Sequence, residues 1–138
     1  MGLFSEIEGL AGENLGSALF RYLVLNSQEA REAILQLLSD RSPIGPISCR
    51  SHFACRTEYP TAHKQFGAGR LDILIQLDDV VVGIENKFFA GFQENQPRKY
   101  VESLDQVAAS LKSIHQADVN AILYVLCPES RHKEAEEH

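Results

Sequence analysis

Residues 69–88 read GRLDILIQLDDVVVGIENKF, two aliphatic runs on either side of the acidic pair Asp78-Asp79. Runs of this length predict two strands, over 71–77 and 80–88, joined by a tight turn. Each run carries one carboxylate, Asp72 and Glu85, and Lys87 follows two residues after the second. With Asp78-Asp79 as the turn, Leu77 faces Val80 and the numbers of facing residues sum to 157, which sets Asp72 against Glu85. Directly opposed side chains have Cβ atoms about 4.5–5.5 Å apart, and like charges there are destabilising. A proton on one carboxyl group, or a cation between the two, offsets the repulsion. Side chains alternate along a strand, so Lys87 shares a face with Glu85. Two carboxylates and a lysine on one patch are the parts needed for metal-assisted phosphodiester hydrolysis; they are equally the makings of an ordinary charge cluster at a hairpin end. Oxygen ligands at this density suit Mg²⁺, with Mn²⁺ as a substitute. Such an ion holds a phosphoryl oxygen and acidifies bound water, while a lysine orients that water and stabilises developing charge.

Outward from the hairpin, the rest of the chain supplies covering elements. Leu15, Ala18, Leu19, Tyr22 and Leu23 recur at three- and four-residue steps, predicting a helix from Phe4 to about Asn26 with these residues as its buried stripe. Ser27 predicts the cap of a second helix over 28–38 that buries Ile34, Leu35, Leu37 and Leu38. DRSPIGPIS is read as a loop, ISCRSHFACRTEY as containing a strand, and PTAHKQFGAG as a second loop. After AGFQEN, Pro97 suits the first turn of a helix whose inner face is Tyr100, Leu104, Val107, Ala108 and Leu111. NAILYVLC, at 120–127, predicts a strand buried on both faces. The order helix, helix, three strands, helix, strand predicts an α/β domain in three layers, a mixed sheet between helices. The boundaries expected are 1–128 for a single domain and 129–138 for a polar tail.

Composition narrows the classes. The chain has 138 residues, 44% hydrophobic and 23% charged, as in a globular domain. No apolar run approaches the roughly 18 residues of a membrane span, and the acidic N-terminus lacks the basic region of a signal peptide. Three cysteines without CxxC spacing predict buried thiols in a reducing, cytoplasmic setting. The net charge is −6, yet residues 41–70 carry five bases against one acid, a basic segment running directly into the hairpin. Local sign governs the steering of a polyanion, so this segment favours a nucleic-acid partner; a solvated loop with scattered arginines reads the same way. His52, His63 and His115 lack ligand spacing, and Cys55 lacks any cue for a nucleophile, so packing and surface roles are expected of them. Gly67-Ala68-Gly69 leads into a strand and not a helix, which excludes a phosphate-binding glycine loop.

Asp72, twelve intervening residues and Glu85-Asn86-Lys87 resemble the PD-(D/E)XK nuclease superfamily, with its restriction-endonuclease-like fold. Gly69-Arg70 before Leu71-Asp72 is similar to the G-R-x-D variant of that motif. Gln96-Pro97-Arg98-Lys99-Tyr100 resembles the Q-x-x-x-Y element of the RecB-like branch, and Gly12-Glu13-Asn14-Leu15 the E-x-L stretch of its first helix. The resemblance spans residues 12 to about 128. Leu71 stands where the family name has proline, Pro97 falls inside the Q-x-x-x-Y element, and the chain ends soon after NAILYVLCPES where relatives often continue with further helices.

The resemblance implies Asp72 and Glu85 as metal ligands, the Asn86 backbone carbonyl as a third, and Glu13 as an auxiliary ligand or water-orienting base. It implies Lys87 as the catalytic lysine, and Gln96, Tyr100 and Arg70 as substrate-binding residues. Glu58 is a further carboxylate able to approach from the first strand. The expected function is Mg²⁺-dependent hydrolysis of DNA, backbone-guided, by a domain that a homodimer or larger assembly would bring to both strands. The rival readings are a catalytically inactive binding or regulatory module of the same fold, and an RNA hydrolase.

Overall fold

The hairpin and its neighbours form a four-stranded sheet in a computed structural model that describes residues 13–48, 52–63, 67–87, 96–115 and 118–126. The elements are α1 (Glu13–Asn26), α2 (Gln28–Asp40), β1 (Ala54–His63), β2 (Gly67–Gln76), β3 (Val80–Asn86), α3 (Gln96–His115) and β4 (Asn120–Leu126). The sheet order is β1-β2-β3-β4, antiparallel across the first three strands and parallel between β3 and β4. This is the predicted α/β class and element order.

Alternation along β2 and β3 divides the aliphatic residues between two cores. Ile73, Ile75, Leu77, Val80, Val82 and Ile84 face one side and pack with Val24, Leu35 and Leu38 of α1 and α2. Leu74 and Val81 face the other and pack with Tyr100, Leu104 and Ala108 of α3. Both faces of the central strands are thereby dry, and every residue of β3 is buried. Leu104 approaches so closely that a Cβ on Gly83 would lie 2.6 Å from its Cδ1 and 3.0 Å from Leu71 Cδ2. The absence of a side chain at 83 is what lets α3 lie flat on β3.

The turn is as predicted, with the Leu77 N–H donating to the Val80 carbonyl at 2.9 Å. Ser27 caps α2, its hydroxyl accepting the Ala30 N–H at 3.2 Å. Four expectations are corrected. The α1 stripe is rotated: Val24 and Ser17 are buried, whereas Tyr22 is 63% exposed and Leu15 and Leu23 also face outward. Small Gly16 and Ser17 admit close packing, and the Arg21 Nε–H bonds the Cys55 carbonyl at 2.9 Å, so polarity does not mark the inner face. In α2, Leu35 and Leu38 are buried but Leu37 is exposed. The segment read as a loop after Tyr59 continues as strand, Pro60 pairing with Arg70 and His63 with Gly67; β1 is an edge strand, where proline is tolerated. β4 is likewise an edge, and of its residues only Ile122 is fully buried. The Tyr124 hydroxyl fastens it to α2 by donating to the Leu38 carbonyl at 2.7 Å. The predicted helical start at Phe4 lies outside the described residues, as do Cys49 and Cys127.

Candidate active site

The β2–β3 register runs from Gln76↔Val81 to Ile73↔Ile84, each pair summing to 157, and the ladder stops one position short of the predicted Asp72–Glu85 pair. There the side chain takes over from the backbone. The Asp72 Oδ2 accepts the Asn86 N–H at 2.7 Å, tying β3 to β2 beyond the last ladder pair. Lys87 follows β3, its N–H donating to the Leu126 carbonyl at 2.7 Å, so β4 fixes the backbone that carries the lysine. Its Nζ lies 2.9 Å from Glu85 Oε1, and the two side chains are only 7% and 5% exposed. Alternation from Gly83, which touches Leu104, puts Glu85 and Lys87 on the α3 side.

Burial dominates the electrostatics. Desolvation, and then the charge of Asp72, push the Glu85 carboxyl up to about 7 against the pull of the Lys87 ammonium. Desolvation also raises Asp72, opposed by the Asn86 N–H and by Lys87, Glu85 and Arg70. Two carboxylates therefore share a dry site with one ammonium, and the second ionises only around neutrality. A pair held this way leaves room in the charge balance for a cation. The donors are all oxygen, which fits a hard divalent ion. Among the described residues no group of three or more His, Cys, Asp or Glu is gathered to hold one. The side chain of Glu13, the third carboxylate expected as a ligand, lies outside the described residues, as does that of Gln96.

Glu58 and Arg70 flank the centre. The β1–β2 register skips 58↔72, and Glu58 there adopts a φ of 52°, a left-handed conformation rare outside glycine. Its carboxylate pairs with the Arg70 guanidinium at 3.1 Å, both side chains about half exposed. Arg70 is thus at the rim, its charge felt by Asp72. Tyr100 is placed differently from the expectation of a substrate contact. It is 4% exposed and its hydroxyl donates to the Arg70 carbonyl at 2.9 Å, so it holds the strand that carries Asp72. The Asn86 N–H bond to Asp72 went unanticipated, because only its carbonyl had a role to suggest from sequence. Cys55 is buried and its thiol is pushed up to about 11 by burial, which suits packing and not nucleophilic attack. His52 is exposed in the lead-in to β1.

The family model for the PD-(D/E)XK nuclease superfamily matches residues 15–138. No curated protein matches the chain.

Proposed function

The chain belongs to the PD-(D/E)XK nuclease superfamily, and from that premise we propose that it hydrolyses DNA phosphodiesters with a divalent cation, Mg²⁺ or in its place Mn²⁺. The observation that carries the reading is the convergence of Asp72, Glu85 and Lys87 at one dry end of the β2–β3 hairpin. Asp72 and Glu85, with the Asn86 carbonyl and Glu13 as further oxygen donors, are the residues to hold the ion, which supplies Lewis-acid charge at the phosphoryl group and makes water more acidic. Lys87 is the one group of the triplet that bears positive charge, and its place beside Glu85 suits it to orient the attacking water and to stabilise charge developing on the phosphoryl oxygens. Arg70 at the rim is the proposed phosphate contact, exchanging Glu58 for the substrate backbone. Gln96 keeps its proposed substrate role, while Tyr100 supports the site through the β2 backbone. No helix among the described residues is long and apolar enough to cross a membrane.

Digestion of plasmid and linear DNA with Mg²⁺ or Mn²⁺ tests this. Wild type should cleave, and Lys87→Ala, shown by its melt to be folded, should lose at least about a hundredfold, the scale of removing one charge-stabilising donor. Equal cleavage by both proteins, or none by wild type with any metal, removes the reading. The Lys87–Glu85 ion pair also suits a catalytically inactive module of the same fold, since the ammonium already neutralises one carboxylate. Calorimetry separates the two, because an inactive module binds Mn²⁺ no differently after Asp72→Asn.

A further inference from the structure

Every second residue of a regular strand points to the same face, and β1 and β2 both break that rule at one point. Cys55 and Ile73 pack into the core under α1 and α2, whereas Tyr59 and Leu71 pack into the core under α3. With alternation kept, Cys55 and Tyr59 would share a face, and so would Leu71 and Ile73. The strand pair therefore turns over between Thr57↔Ile73 and Tyr59↔Leu71, where Glu58 and Asp72 stand opposite each other without a ladder pair. The register is the same on both sides of this gap, so neither strand carries an extra residue. What distinguishes the position is the backbone of Glu58, the one non-glycine residue among those described with a positive φ, 52°. A left-handed residue inside a strand breaks the alternation of its neighbours. Glycine adopts that conformation freely and glutamate only at a cost, so surrounding contacts must hold it there.

The reversal decides what surrounds Asp72. In an unbroken β2, Arg70, Asp72 and Leu74 would all face α3. Instead Leu71 takes that place against Gly83 and Leu104, and the Arg70 side chain is turned out to the rim, 3.1 Å from the Glu58 carboxylate. The β2–β3 ladder ends at Ile73↔Ile84, and past it the Asp72 side chain receives the Asn86 N–H at 2.7 Å. The strand leaves its regular course at the residue whose carboxylate meets β3 beside Glu85 and Lys87. We propose that Glu58 is a positioning residue of the active centre: its left-handed conformation turns the β1–β2 pair over and so sets the Asp72 carboxylate against β3, where the cation is to be held. The cation's part in this rests on the nuclease reading given above, whereas the placement of Asp72 does not.

Two measurements on the full chain test it: hydrogen exchange of the Asn86 amide without metal, followed by NMR, and Mn²⁺ titration at pH 8. The Asn86 rate is taken relative to the Val82 amide of the same strand, because a general loss of stability speeds both together. Glu58→Val places a β-branched residue where φ must be positive, a conformation it resists. Relative exchange at Asn86 should rise at least about tenfold and Mn²⁺ affinity should fall about tenfold. Glu58→Gly removes the carboxylate and keeps the conformation, so both readouts should stay within about twofold of wild type. Glu58→Thr, with a smaller β-branched side chain, carries the same expectation should the valine variant not fold. A folded β-branched variant with the wild-type ratio at Asn86 overturns the proposal. Glycine failing as valine does also overturns it, since the carboxylate and not the backbone then matters. If Asn86 responds as expected and wild type binds no Mn²⁺, the nuclease reading fails and the positioning role stands. If wild type binds Mn²⁺ through Asp72 and Glu58→Val changes neither readout, only the positioning role fails.

Discussion

Lys87 carries a full positive charge into a place where only 7% of its side chain meets solvent, and the Glu85 carboxylate 2.9 Å away is what makes that tolerable. Glu85 is in turn pressed by Asp72, so the three residues hold one another in balance and no one of them is neutral to remove. That Asp72, Glu85 and Lys87 lie together was legible in the sequence, because a two-residue turn reduces the register to arithmetic. Tyr100 was legible as a residue and misread in its role, since a tyrosine four positions from a glutamine looks the same whether its hydroxyl meets a ligand or a strand. The Arg70 carbonyl it bonds is invisible to any motif. Tyr100→Phe should therefore lower stability by about 1 kcal/mol, the size of one buried hydrogen bond, and leave DNA affinity within about twofold. A loss of affinity with no change in the melt would return the hydroxyl to the substrate.

At the scale of elements, the sequence shows central strands better than edges or helix faces. β3 is buried throughout, so its apolar run has one reading. In β1 the signals conflict: Pro60 resembles a loop residue, while the edge position permits it in a strand. The α1 stripe of Leu15, Tyr22 and Leu23 has the right spacing and the wrong side, because Gly16 and Ser17 pack inward by being small. Packing of α3 on β3 turns on Gly83, where a methyl would meet Leu104 and Leu71. Gly83→Ala should cost about 1–3 kcal/mol by overpacking, read as a lower denaturation midpoint at unchanged slope. An unaltered midpoint would mean that α3 lies farther from the sheet.

For the whole molecule, the site sets how stability depends on pH. The folded-state pKa of Glu85 is raised from 4.5 to about 7 and that of Asp72 is raised as well, so the folded protein binds more protons than the unfolded chain across this window. For an acid shifted upward, stability is greatest below the unfolded pKa and declines as pH climbs through the folded one. The metal-free protein should therefore lose up to about 3 kcal/mol between about pH 5 and pH 8, and Glu85→Gln should flatten the decline. A midpoint that stays level over this range in wild type would contradict it. The same repulsion should favour cation binding, with affinity rising as the carboxylates ionise.

That makes the central claim, that the opposed carboxylates are half of a metal site, open to one titration. Mn²⁺ added to the full chain at pH 8 in a calorimeter should give saturable binding, weakened at least about tenfold by Asp72→Asn. No saturable binding by wild type, or the same isotherm from both proteins, would mean that Asp72 and Glu85 face each other for some purpose other than holding a cation.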